Sequence, residues 1–200
     1  MVESLYKLKN ESSSESEQSG PKGLILSPTR ELALQTYRFL RKLSKHTGLR
    51  SITLTGGENL NDQFSDLTNS SSSFDIIVAT PGRLVHLLSE IPHFKISKVQ
   101  FLVFDEGDRL FEMGFSQQIY EIMQQMNKGS SSSSHNSNHQ SRKRQTLLVS
   151  ATLPSSLIQF TRAGLNDPVL IRFIFLDRYH VFLMCLCCLD WIQTQRFLKL

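Results

Sequence analysis

The sequence predicts an α/β fold with a doubly wound, mostly parallel sheet, and two observations carry the prediction. Short apolar, β-branched-rich runs recur along the chain, at "GLILS" (23–27), "SITLT" (51–55), "DIIVA" (75–79), "QFLVF" (100–104), "QTLLVS" (145–150) and "PVLIRF" (168–173). Most of them lack polar alternation, which marks strands covered on both faces. Between them lie segments with helical periodicity, and strands alternating with helices build a mostly parallel sheet.

Each helical segment carries its own start and stop chemistry. "TRELALQTYRFLRKLSKHTG" has Glu31 in its first turn, Arg41, Lys42, Lys45 and His46 towards its end, and Gly48 as a stop, which is the charge order that complements a helix dipole. "GRLVHLLSEI" and "FSQQIYEIMQQM" read as helices in the same way. Three serine-rich tracts, "NESSSESEQSG" (10–20), "TNSSSS" (68–73) and "GSSSSSHNSNHQS" (129–141), offer almost nothing apolar to bury and read as flexible surface insertions.

A chain of 200 residues with 40% hydrophobic content buries one sizeable core, and a net charge of +4 is only mildly basic. The longest apolar run, Val181 to Leu189, is far shorter than the ~20 residues of a membrane span. Cys185, Cys187 and Cys188 crowd into "CLCC", which matches neither a metal site nor a disulfide framework and suits a reducing, intracellular compartment. His86 and His93 have no ligand partner at useful spacing and read as structural or surface residues.

Ligands of open α/β sheets collect outside the carboxyl ends of the strands, and here those ends carry "SPTRE", "TGG", "ATPGR", "DEGD" and "SATLP" in turn. Taken alone, each has an ordinary reading. "TPGR" fits a type II turn with Pro81 setting φ and Gly82 supplying a positive one; "TGG" is a loop; "PTRE", "SAT" and "DEGD" are helix starts. Five such ends along one rim point instead to a site. The pair Asp105–Glu106 after "FLVF" looks like a Walker B element, in which the first carboxylate serves Mg²⁺ and the second positions or deprotonates an attacking water. A hard cation held there neutralises charge developing on phosphate.

In this order, "SPTRELA", "TGG", "ATPGRL", "VFDEGDRL" and "VSAT" resemble the first RecA-like domain of the DEAD-box ATP-dependent RNA helicases, over about Gly23 to Arg172. The flanking "DRLFEMGF" and "FTRAGLNDPVLIR" are similar to nucleolar members that act in large ribosomal subunit assembly. The resemblance implies ATP and Mg²⁺ as cofactors, RNA as partner and a nucleolar location. It implies that Asp105 coordinates Mg²⁺ through water, Glu106 is the general base, and Asp108 contacts Ser150, Ala151 and Thr152, which couple nucleotide state to strand separation. Arg30, Gly57, Thr80, Gly82 and Arg83 would face the RNA backbone. Arginine forks and glycine-exposed N–H groups bind phosphate without reading bases, so sequence-independent binding is expected.

Residues 30–50 hold six Lys or Arg against Glu31 alone, and Arg38, Arg41, Lys42 and Lys45 read as a solvated helix face. "RKR" (142–144) reads as a solvated boundary or a nuclear signal.

Three features depart from the family's pattern. No G-x-x-x-x-G-K-[ST] occurs in the chain, so the ATP cradle is expected upstream of Met1, with "MVESLYKLK" as the helix that follows it. Gly107 stands where the family has Ala. Residues 173–200 form an apolar tail without resemblance, expected to lie outside the folded domain. The expected division is therefore 1–22 as a partial helix and acidic, Ser-rich loop, 23–172 as an incomplete helicase domain 1, and 173–200 as the tail. Two functions follow: an ATP-dependent RNA helicase represented by an incomplete chain, or a short non-enzymatic protein that keeps RNA contacts or competes for helicase partners.

Overall fold

A computed structural model of the chain describes residues 1–11, 20–68, 74–128, 144–165, 168–174 and 181–187. The serine-rich tracts lie largely outside the described residues, as do Cys188 and the rest of the tail. The elements run α1 (Val2–Glu11), β1 (Gly23–Leu26), α2 (Arg30–Leu43), β2 (Ser51–Leu54), α3 (Leu60–Thr68), β3 (Ile76–Ala79), α4 (Pro81–Glu90), β4 (Phe101–Phe104), α5 (Gly107–Glu112), α6 (Ser116–Asn127), β5 (Gln145–Ser150), α7 (Ser155–Gly164), β6 (Pro168–Ile174) and β7 (Val181–Cys187). All six expected strands are present, several shortened by one residue at an end.

The sheet order is β2-β3-β1-β4-β5-β7-β6. From β2 to β5 every pairing is parallel and in step, with Leu24 opposite Ile77 and Leu102, and Leu26 opposite Ala79 and Phe104. Because side chains alternate across a strand, this register sorts the apolar residues into two cores. Leu24, Leu26, Ile52, Leu54, Ile77, Leu102, Phe104 and Leu148 face one side, with Leu84 and Leu87 of α4, Leu110 of α5, Ile119 and Ile122 of α6 and Leu157 of α7. Ile25, Ile76 and Val78 face the other, covered by Leu5 of α1 and Ala33 and Leu40 of α2. Helices on both faces make the sheet doubly wound, as the apolar runs predict.

This winding fixes where the chain reverses. β1 and β4 are neighbours, but the crossover leaving β1 runs by α2 over one face towards β2, while that leaving β4 runs by α5 and α6 over the other towards β5. The carboxyl ends of β1 and β4 therefore flank the topological switch point, where open α/β sheets bind ligands.

Two local expectations change. "TPGR" is not a type II turn: Thr80 is the extended N-cap residue of α4, Pro81 occupies its first turn, and Gly82 is absent from the residues with positive φ. Proline's missing N–H costs nothing where helix donors are unpaired anyway. Nor does the sheet stop at Arg172. β6 continues to Ile174, and β7, from the stretch expected to be a tail outside the domain, inserts antiparallel between β5 and β6, with Leu147 opposite Leu186 and Ile171 opposite Met184. An apolar run beside a strand with an open edge satisfies that edge's N–H and C=O groups.

Arg144 of the "RKR" run is structural. It donates to the carbonyls of Val99 and Met126 and to Asn127 Oδ1, and burial pulls its guanidinium below its ordinary value. Among the described residues no helix is long and apolar enough to cross a membrane.

Candidate active site and nucleic-acid interface

The ladder extends one residue beyond three strands. Ser27 N–H donates to Ala79 O, Thr80 N–H to Leu54 O and Asp105 N–H to Leu26 O, at 3.0, 3.1 and 2.9 Å. The first polar residues of the rim are thereby held as rigidly as the sheet itself.

Asp105 lies at the switch point. Its Oδ2 accepts from Ser27 Oγ across the β1–β4 gap at 3.2 Å and from Thr36 Oγ1 of α2 at 3.1 Å. Its Oδ1 has no hydrogen-bond partner among the described residues. Those residues contain no cluster of three or more Asp, Glu, His or Cys that would hold a metal ion. Mg²⁺ is commonly bound by one or two carboxylates together with waters and substrate phosphates. A carboxylate pinned by one oxygen and open at the other fits that role.

Glu106 is the one non-glycine residue with positive φ among the described residues, at φ 49°, ψ 56°. That conformation costs about 1–2 kcal/mol for a residue with a Cβ. It turns the chain from β4 into α5, and Glu106, as the N-cap residue, gives its carbonyl to Leu110 N–H. Its partly exposed carboxylate pairs with Arg109 Nη1 at 2.8 Å. Behind the turn, a Cβ added to Gly107 would lie 3.2 Å from Leu148 Cγ. The turn therefore packs directly onto β5, and Gly107 spares Leu148 a shift of a few tenths of an ångström.

Asp108 joins this turn to the loop after β5. Its Oδ2 accepts from Thr152 Oγ1 at 2.7 Å and Thr152 N–H at 3.1 Å, and its Oδ1 from Arg109 N–H at 3.1 Å. Its own N–H donates to Ser150 Oγ at 3.0 Å, and that hydroxyl donates to Thr152 O at 2.8 Å. Burial pushes the carboxyl up, but the hydrogen bonds around it, led by that from the Thr152 hydroxyl, together outweigh it, leaving the Asp108 pKa below its ordinary value. Ala151 is exposed between its two anchored neighbours. Phe160 of α7 seats this region from below, with ring centroids 5.3 Å from Phe104 and 4.8 Å from Phe111.

A second cluster gathers at the ends of β1, β2 and β3. Thr29 caps α2 by accepting from Leu32 N–H, so that Arg30 projects from the helix's first turn, half-exposed. Gly57 has φ +79°, and a Cβ there would lie 2.5 Å from Arg30 Nη1. Only glycine lets the guanidinium lie this close to the backbone. Arg83 Nη2 donates to Glu58 O at 3.3 Å, and Arg30 Nη2 lies 3.9 Å from Glu58 Oε1. The loops of "PTRE", "TGG" and "TPGR" thus converge on Glu58. Gly82 is exposed, with nothing within 4 Å of an added Cβ, so the first turn of α4 is open to close approach.

The structure thus sorts the expected site residues into two groups on one rim: Asp105, Glu106, Asp108, Ser150 and Thr152 at β4 and β5, and Arg30, Gly57, Thr80, Gly82 and Arg83 at β1 to β3. Sequence reasoning missed Ser27, Thr36 and Glu58. Ser27 and Glu58 adjoin motif residues, but Thr36 lies mid-helix, and only the fold brings it to Asp105.

The fold defines a RecA-like α/β domain that carries its polar motifs along one rim, at the carboxyl ends of its parallel strands. The family model "DEAD/DEAH box helicase" matches residues 1–160, and the chain belongs to that family. It is similar to the ATP-dependent RNA helicase DDX54 of Mus musculus (49% identity, covering 78% of this chain and 16% of that protein). It is similar also to the putative DEAD-box ATP-dependent RNA helicase 29 of Arabidopsis thaliana (48% identity, 78% and 16%) and to the helicase DBP10 of Vanderwaltozyma polyspora (48% identity, 84% and 15%). Among solved structures, the yeast DEAD-box splicing factor Prp28 superposes with a TM-score of 0.68 at 28% identity, covering 83% of this chain and 37% of that one. The chain spans about one sixth of the length of the curated relatives it matches.

Proposed function

We propose that the chain is the RNA- and Mg²⁺-facing part of an ATP-dependent RNA helicase, acting in ribosome assembly in the nucleolus. The observation that carries this reading is the Asp105–Glu106 turn, one carboxylate pinned at the switch point and the next held in a left-handed conformation beside it. Strained backbone persists where the surrounding structure imposes it, and active sites are where it gathers.

In this reading Mg²⁺, when bound with ATP, neutralises charge on the phosphates. Asp105 offers its free oxygen to the ion's water shell. Glu106 orients the attacking water and takes its proton, after leaving Arg109. Asp108 keeps the loop of Ser150 to Thr152 in register with the carboxylates, so that loop moves when they do. Arg30 and Arg83, with the open first turn of α4, hold sugar-phosphate backbone without base readout. The nucleolar assignment rests on the stretches around Phe111 and Phe160 and is tested by imaging the tagged protein.

Glu106→Gln, in a protein that pairs this chain with a phosphate-binding loop, is the direct test. It keeps the shape of the side chain and removes the base, so ATP hydrolysis is lost while nucleotide binding remains within a few-fold. Equal loss of binding and turnover would show that Glu106 does something other than accept a proton.

A further inference from the structure

Glu58 lies at the meeting point of the three loops of the arginine cluster, yet it carries the charge of the ligand those arginines would bind. Its carboxylate is fixed from behind: Gln63, 4% exposed, donates from Nε2 to Glu58 Oε2 at 2.6 Å and to Thr55 O at 3.2 Å. The other oxygen points to Arg30 Nη2 at 3.9 Å, with the two side chains 31% and 46% exposed. Arg83 takes the backbone carbonyl of the same residue. The carboxylate is thus braced by a buried amide, while its pairing with Arg30 is long and half in water.

Resting on the RNA reading of this cluster, we propose that Glu58 is an intramolecular counter-ion that occupies Arg30 in the RNA-free protein and gives way to an RNA phosphate. Two features support displacement rather than a permanent bridge. Half-exposed pairs at this separation contribute little to stability, so a phosphate that accepts two parallel bonds from the guanidinium outcompetes the carboxylate. Arg30 also lies against Gly57, which has no side chain to wedge the guanidinium against Glu58. The Arg83 contact uses the carbonyl, not the carboxylate, and keeps the loop in place through the exchange.

The test is fluorescence anisotropy of labelled oligouridine titrated with the 200-residue chain over a range of salt. The proteins are wild type, Glu58→Gln, Arg30→Ala and the double variant. Glutamine keeps an acceptor for Gln63 and removes the charge. Glu58→Gln is expected to bind about two- to five-fold more tightly, the worth of one half-exposed pair, with a steeper salt dependence. In the Arg30→Ala background that gain shrinks towards one. Unchanged or weaker binding by Glu58→Gln overturns the proposal. So does an equal gain in both backgrounds, which would mean a general charge effect with no specific pair. The underlying RNA reading fails separately, if Arg30→Ala and Arg83→Ala, the latter titrated alongside the four proteins above, both bind as wild type does.

Discussion

Asp108→Asn tests the joint between the carboxylate turn and the loop after β5 by exchanging one carboxylate oxygen for an NH₂ group. The carboxylate takes three donors: Thr152 Oγ1–H and N–H on Oδ2, and Arg109 N–H on Oδ1. A carboxamide has one oxygen. Its better orientation keeps that oxygen on Thr152 and turns the NH₂ towards Arg109 N–H, so one bond is lost and two become neutral. Hydrogen bonds to charged groups contribute about 1.5–3 kcal/mol against ~1 for neutral ones. Relief from burying a charge offsets part of this, which leaves a net loss of about 1–2 kcal/mol at pH 7. For a chain of this size that is a melting-temperature drop of about 2–8 °C.

The pH dependence supplies the sharper test. The folded Asp108 carboxyl titrates below its ordinary value, so its contribution is fully present above the unfolded pKa of about 4 and is lost as pH falls through the folded one. The gap between wild type and Asp108→Asn in calorimetric melts is expected to stay constant from pH 7 to about 5 and to close below about pH 4. A gap that persists unchanged into acid, or a variant as stable as wild type at neutral pH, would refute the reasoning.

Arg83→Ala should weaken single-stranded RNA binding evenly across sequences and make the slope of log K against log salt shallower by about 0.7; altered base preference at an unchanged slope would mean Arg83 reads bases. Gly57→Ala places a Cβ at φ +79° and 2.5 Å from Arg30 Nη1, so RNA affinity should fall together with about 1–2 kcal/mol of stability; calorimetry and anisotropy that both match wild type would exclude the close approach. Ending the chain after Arg172 removes β7 and leaves β5 unpaired along Thr146–Ser150 on that side. The melting temperature should therefore drop by several degrees, and equal melting of the two lengths would mean the tail strand adds nothing to the sheet.

What was legible in the sequence depended on period and on punctuation. The doubly covered strands announced themselves as unbroken apolar runs, and the rim motifs lay at the ends of those runs. Asp108 meeting Ser150 and Thr152 followed from the resemblance. Three things were not legible, each for a physical reason. "TPGR" contains the residues of a turn, but proline and glycine also suit the first turn of a helix, and only the backbone decides between them. β7 lies in a run without turn residues whose partner is set by which edge is open, a property of the whole sheet. The hydroxyl of Thr36 is one among many on helix faces, and its meeting with Asp105 requires the β1–β4 adjacency.

That last contact gives α2 a role beyond covering the sheet. Its first residue is Arg30, which faces the arginine cluster, and six positions on, a rise of about 9 Å, Thr36 holds the oxygen of Asp105. Ala33 and Leu40, fully and almost fully buried, share a face with Thr36 at i, i+3, i+7 spacing and lock the helix onto the sheet. A helix of fourteen residues capped by Thr29 and packed in this way responds as a rigid body. On the proposed RNA reading, a pull on Arg30 by a phosphate that has displaced Glu58 would therefore not be absorbed in the first turn. It would shift Thr36 against Asp105, and through the Glu106 turn it would reach Asp108 and the loop of Ser150 to Thr152. The proposed RNA contact at Arg30 and the Asp105 carboxylate would then share one mechanical element, the helix that carries both Arg30 and Thr36.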